Sequence, residues 1–203
     1  MRVLVIGATG LVGGAAADAL EAFGDEILRA SKSSELGVDV LDAGSIAALL
    51  DRVTTEGPLD AVVCAVGSVP FKPLADLDAE DYLAAYRGKV ASQVDVTRLA
   101  TPHLVYGGSI TLTTGVLARE PIHTGAAAAL ANGAVESFVI SAAAELPRSL
   151  RINAVSPTVL VEATGYHAFF PGFTQVSAAE VGQAFVKAVH GIRTGQVLAL
   201  DGR

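Results

Sequence analysis

"MRVLVIGATGLVGG", residues 1–14, is the stretch on which the fold turns. "RVLVIG" (2–7) is a nearly unbroken aliphatic run, as expected of a parallel strand buried on both faces. Gly7, Gly10 and Gly13 follow in G-x-x-G-x-x-G spacing, and a helical apolar pattern runs from Leu11 to Phe23. Glycines between a strand and a helix permit a tight turn, close approach of backbone N–H groups to a diphosphate, and intimate helix–strand packing. The helix amino terminus then turns its partial positive charge toward the anion. The pattern predicts nucleotide binding at this junction, against the alternative of a purely structural glycine-rich turn.

The same alternation continues outward from that turn. Strands are expected at 26–31, 36–40, 60–67, 108–114, 151–157 and 195–202. Helices are expected at 42–53 with Ser45 as a cap candidate, in one or two pieces over 78–104, at 125–146 ending before Pro147, and capped at 177–190. Strands apolar on both faces, alternating with helices and joined by short connections, predict an α/β fold. It is a single-domain, doubly wound parallel sheet of about seven strands, a Rossmann fold over residues 1–203, with helices on both faces.

Composition narrows the partners. The chain has 203 residues, is 51% hydrophobic and lacks Trp, so small apolar side chains do the packing. A net charge of −7 without a Lys/Arg cluster argues against a nucleic-acid surface and for a metabolite or nucleotide. Cys64, the sole cysteine, excludes a disulfide framework and a Cys-based zinc site, and reads as a buried thiol. No metal site is expected. No apolar run approaches the ~18 residues of a membrane span, and the first apolar run is too short for a signal peptide; a soluble, cytoplasmic protein is the expectation.

"GATGLVG", "VDVLDAGS", "AVVCAVG", "GSITLTTG", "RINAVSPTVL" and "GQVLALDG" together resemble the short-chain dehydrogenase/reductase family over nearly the whole chain. The resemblance implies an oxidoreductase with a nicotinamide cofactor. Gly7, Thr9, Gly10, Leu11 and Val12 would form its diphosphate turn, although many members carry the middle glycine where Leu11 stands. Ala65 and Gly67 would lie beside the nicotinamide ribose, and Pro157, Thr158 and Val159 beside the carboxamide. Strand two ends in Ser31, Lys32 and Ser33 rather than an acidic residue, which favours NADP(H) over NAD(H). Asp39 and Val40 would meet the adenine. The resemblance also implies a homodimer or homotetramer through the helices around 80–104 and 125–146.

The family's catalytic Asn, Ser, Tyr and Lys are another matter. Registering "NGAVESF" puts Asn132 at the Lys position, Ala128 at the Tyr position and Gly115 at the Ser position, and "VTRLATPHL" puts Lys89 where Asn belongs. A one-residue slip would make Thr114 the Ser equivalent, but no slip of a few residues finds a tyrosine. Lys89, Thr114 and Asn132 are therefore the catalytic candidates, with Lys89 either entering the site or sitting on a solvated helix face. Thr113, His123 and Tyr166 are candidate substrate contacts. The preferred reading of His123 is a surface loop histidine, and that of "YHAFF" around Tyr166 an apolar lid. Three functions follow: an NADP(H)-dependent oxidoreductase with a non-standard acid, a non-catalytic NADP(H) sensor, or a lyase or isomerase using Lys89.

Overall fold

The structure, a computed structural model, describes residues 1–201. Gly202, the expected end of the last strand, and Arg203 at the expected domain boundary lie outside the described residues. Seven parallel strands are ordered β3-β2-β1-β4-β5-β6-β7. They are β1 (Arg2–Ile6), β2 (Glu26–Ser31), β3 (Leu36–Gly37), β4 (Leu59–Cys64), β5 (Leu104–Thr113), β6 (Arg151–Pro157) and β7 (Gln196–Leu200). The order reverses at β1, which pairs with β2 through Leu4–Leu28 and with β4 through Leu4–Val62. Ligand crevices in such sheets open at the carboxyl ends beside that reversal.

Alternation along each strand divides the core. Leu4, Ile6, Val62, Cys64, Ile110, Leu112 and Ile152 face α2 (Ala43–Val53), α4 (Ser92–Ala100) and α5 (Ala126–Glu145). Val3, Val5, Ala61, Val63 and Val155 face α1 (Leu11–Phe23) and α6 (Ala178–His190), around the fully buried Phe185. Both layers rest on small residues, as the composition requires.

Several boundaries differ from the expectations. β3 keeps only two residues, because Ser31, Ser34 and Asp39 bond the local backbone instead of extending a ladder. β4 stops at Cys64; Ala65 N still donates to Ile6 O of β1 at 2.8 Å, but residues 65–67 are no longer strand. β5 starts four residues earlier than expected, at Leu104. Asp42, not Ser45, caps α2: its carboxylate accepts from Gly44 N at 2.8 Å, while Ser45 Oγ accepts from Asp39 N at 2.9 Å. α6 carries the expected cap, a reciprocal Ser177–Glu180 box.

The segment 78–104 is a broken helical run: α3 (Ala79–Ala85), a π-helical turn (Tyr86–Ala91), α4, and a 3₁₀ turn (Thr101–His103). π-turns re-aim side chains and recur at functional sites. Here the turn brings Gly88 against the loop after β4, where Ser68 N donates to Gly88 O at 3.3 Å. A Cβ on Gly88 would stand 2.6 Å from Ser68 O, so only glycine allows that approach. Lys89, the next residue, is delivered into the sheet's carboxyl edge.

α5 corrects another expectation. It is the one helix among the described residues long and apolar enough to span a bilayer by length and composition. Alanine and glycine raise its hydropathy without making a continuous run of large apolar residues. It packs as a layer helix, burying Ala127, Ala131, Asn132, Val135 and Val139.

Candidate active site

Two cavities open along the carboxyl edge. The first, about 250 Å³, is lined by Gly7, Thr9, Gly10, Ser31, Lys32, Asp39, Val40, Ala65 and Val66, with Ile6 and Val38. It collects eight of the residues assigned to the cofactor. The turn is compact: a Cβ on Gly13 would lie 2.1 Å from Gly7 O, and one on Gly7 would lie 2.4 Å from Ala65 O. Gly7 also has φ +91°, which favours glycine. α1 begins without a side-chain cap or an acidic residue in its first turn, leaving its N–H groups and partial charge for a ligand. These features fit a dinucleotide.

At the rim, Ser31 Oγ accepts from Ser33 N and Ser34 N, at 3.3 and 3.1 Å, so a tight turn replaces an acidic residue. Lys32 Nζ pairs with Asp39 Oδ2 at 3.1 Å while remaining 81% exposed. Such a surface pair contributes little to stability and can exchange partners readily. The backbone hydrogen bond from Leu41 and the Lys32 contact hold the Asp39 carboxyl below its ordinary range. Leu11, Val12 and Ser33 do not line this cavity: Leu11 is exposed, and Val12 packs against the α1–α6 core.

The second cavity, about 210 Å³, brings together Lys89, Thr114, Gly115, Ala128, Asn132, Pro157, Thr158, Val159 and Tyr166. Its remaining wall is apolar, with Phe71, Leu117 and Phe170 prominent. All three catalytic candidates meet here. Lys89 from the π-turn and Asn132 from α5 thus share one cavity.

Two glycines make room for these side chains. The Lys89 stem packs on Gly67, where an added Cβ would stand 3.1 Å from its Cγ and Cδ. Gly67 accordingly borders Lys89 rather than the nucleotide cavity. Burial pushes the Lys89 ammonium down to about 8, against the opposing pull of the Glu136 charge. No protein acceptor stands within hydrogen-bonding distance of that ammonium among the described residues. Asn132, 4% exposed, turns Nδ2 to Gly115, where a Cβ would lie 3.2 Å away. Its Oδ1 is buried and unpartnered, as is Thr158 Oγ1. Buried polar atoms without partners are costly and mark a place for a ligand or an ordered water.

Behind the cavity lies a polar cluster absent from the sequence-based assignment. Glu136, one turn beyond Asn132 on α5, accepts from Thr114 Oγ1 at 2.8 Å and Ser156 Oγ at 3.0 Å. Arg119 Nη1 approaches both its oxygens, at 2.6 and 2.7 Å, and Arg119 Nη2 donates to Ser156 Oγ at 2.9 Å. The available signal was a single carboxylate inside an alanine-rich apolar helix, at i, i+4 from Asn132. Its partners, 17 and 20 residues away in sequence, gave none.

Two substrate candidates fall elsewhere. Thr113 sits beneath the cavity, 7% exposed, with its backbone N–H and C=O bonded to Gln93 at 2.9 Å each. The strand's alternation turns its side chain away while Thr114 faces the site. His123 lines a separate cavity of about 250 Å³ with Pro73, Leu74, Ile122 and Thr124. Thr124 at φ +66° bends the chain there before α5 begins. Tyr166 stays in the wall on the loop across the site, its ring 6.2 Å from that of Phe71. Cys64 is buried, and its thiol is pushed up to about 12 by burial, so it remains neutral.

Comparison with known proteins gives this geometry a setting. The family model described as enoyl-(acyl carrier protein) reductase matches residues 7–198. The protein lin1944 of Listeria innocua superposes with a TM-score of 0.93 at 41% identity, over 98% of each chain. A small-chain dehydrogenase in complex with NADPH superposes at 0.88 with 25% identity, over 100% of this chain and 97% of that one. Versicolorin reductase 1 of Dothistroma septosporum is 29% identical over 139 residues, 64% of this chain and 51% of its own length. The chain therefore spans about half the length of such curated relatives.

Proposed function

The chain belongs to the short-chain dehydrogenase/reductase family, and from that premise we propose that it is an NADP(H)-dependent oxidoreductase acting on a compact, partly apolar carbonyl or alcohol. Gly7, Thr9, Gly10, Ala65 and the α1 amino terminus would hold the dinucleotide, and the NADPH complex of a 25% identical relative supports the phosphorylated form. Lys32, freed from Asp39, would pair with the 2′-phosphate. When bound, the nicotinamide supplies or accepts hydride.

Lys89 is the proton donor of this site, in place of a tyrosine that α5 does not carry. The carrying observation is the double accommodation of Lys89 against Gly67 and of Asn132 against Gly115. A decayed site would keep neither fit. In reduction, the ammonium gives one proton to the substrate oxygen and solvent returns it afterwards. Its depressed pKa suits that task near neutral pH. Asn132 Oδ1, buried and without a protein partner, would accept from the substrate hydroxyl and so orient the transfer. The apolar wall from Phe71, Leu117, Tyr166 and Phe170 excludes water and limits substrate size.

Two copies of the chain would pair through α4 and α5. Leu130 and Ile140 on α5, 51% and 61% exposed, leave apolar area for a second subunit, and light scattering of the pure protein reads the outcome.

The test mixes pure protein with NADPH or NADH and a panel of ketones, enones and imines, following loss of reduced-nicotinamide absorbance. Turnover with NADPH in the native protein and its loss in Lys89→Met is the expected result. Tight NADPH binding with no turnover on any acceptor would instead indicate a sensor.

A further inference from the structure

Glu136 does not line the substrate cavity, yet it accepts a hydrogen bond at 2.8 Å from the hydroxyl of Thr114, which does, and further bonds from Ser156 and Arg119 behind it. A hydroxyl carries one proton and two lone pairs. The proton of Thr114 goes to Glu136 Oε1, so toward the cavity Thr114 offers lone pairs alone. Ser156 likewise donates to Glu136 and accepts from Arg119. Both hydroxyl protons of the cluster are thus taken up by Glu136, and Thr114 lines the same cavity as Lys89.

We propose that Glu136 is a positioning residue: it fixes the Thr114 hydroxyl as an acceptor on the cavity wall and sets a carboxylate charge behind Lys89, keeping the lysine as the site's cation and donor. The proposal rests on the reading of Lys89 as proton donor. Its electrostatics can be traced group by group. From β4 the facing group is the neutral Cys64 thiol, and from the loop across the cavity it is the Tyr166 phenol. From α5 it is Glu136, whose charge is partly balanced by Arg119, with Nη1 contacting both carboxylate oxygens. Burial pulls the Lys89 ammonium toward neutrality, and Glu136 is the largest opposing influence.

That balance gives two substitutions of opposite sign. Glu136→Gln removes the carboxylate and leaves the Arg119 charge, so Lys89 should lose its proton at lower pH. Arg119→Gln exposes the carboxylate, so Lys89 should hold its proton to higher pH. The chain has four lysines, so ¹³C labelling of lysine Cε gives few resonances, and Lys89→Met identifies the relevant one.

Expected is a Lys89 midpoint near 8 in the native protein, lower by about half a pH unit or more in Glu136→Gln and higher in Arg119→Gln. Simple loosening of the site would solvate the lysine and raise its midpoint in both variants. A rise, or no change, in Glu136→Gln overturns the proposal. Should Glu136→Gln not fold, a fall or no change in Arg119→Gln overturns it equally. These readouts need no substrate. Full turnover by Lys89→Met would remove the donor reading while leaving a measured influence of Glu136 on the Lys89 titration intact.

Discussion

At the β1–α1 end of the sheet, the cavity is shaped by a tight backbone turn: Gly7 and Gly10 in its wall, an uncapped helix start and Ala65 beyond β4. At the β5–α5 end, a cavity of similar size is made by side chains from separate elements. Lys89 comes from a π-turn, Thr114 from the end of β5, Asn132 from α5 and Tyr166 from the loop across the site. The first end tolerates little change because a Cβ would strike carbonyl oxygens at 2.1–2.4 Å. At the second, two glycines make room for side chains, Gly67 for Lys89 and Gly115 for Asn132. Backbone-built binding is rigid in sequence, whereas side-chain-built chemistry can be re-cut within one scaffold.

The sharpest way to break this contrast is Lys89→Met. A fall in kcat of about 10²–10⁴-fold is expected, as for loss of a general acid, with the NADPH dissociation constant changed only a few-fold. Thermal unfolding should move the other way. Removing a desolvated, unpaired cation should stabilise the fold at neutral pH by about 1–3 kcal/mol. A variant that is both inactive and less stable would mark Lys89 as merely structural.

Next in size is the pH response. The folded-state pKa of Lys89 is depressed from 10.5 to about 8, so below 8 both folded and unfolded chains hold the proton. Reduction should therefore be level below about 8 and fall roughly tenfold per pH unit above it, as the ammonium is lost. Between 8 and 10.5 the unfolded chain binds more protons than the folded one, so this group's contribution to stability rises with pH there. A rate that climbs through that window in the reductive direction would exclude Lys89 as donor.

Gly115→Ala sharpens the comparison from the other side. Its Cβ would crowd Asn132 Nδ2 at 3.2 Å, and a drop of about tenfold in kcat/KM with unaltered nucleotide affinity is expected. The smallest effect belongs to the rim. Lys32→Ala should weaken NADPH binding about three- to tenfold and leave NADH unchanged, measured by calorimetry. Equal losses for both would show that the cation does not read the 2′-phosphate.

Much of this architecture was legible without coordinates. The strands at 2–7, 26–31 and 151–157 and the capped start of α6 follow from apolar runs and local chemistry, which act over a few residues, whereas the α2 cap fell to Asp42 instead of Ser45. Less of the site was. Lys89, Thr114 and Asn132 were named, but their juxtaposition was an expectation from resemblance. Thr113 was misplaced by one step of strand alternation, and His123 by a backbone turn at Thr124. Arg119, Glu136 and Ser156 were absent, because a charged side chain in a sequence does not announce its partner 20 residues on.

Taken by itself, the chain's order of residues determined the alternating layers, the glycine turn and the lack of a tyrosine on α5, since periodicity and backbone permissiveness are local properties. Only the folded arrangement decided that Gly67 makes room for Lys89, that Gly115 makes room for Asn132, and that Glu136 stands behind both. Those relations are close contacts and charge interactions between segments distant in the chain, and they exist only once the sheet has brought its carboxyl ends to one edge.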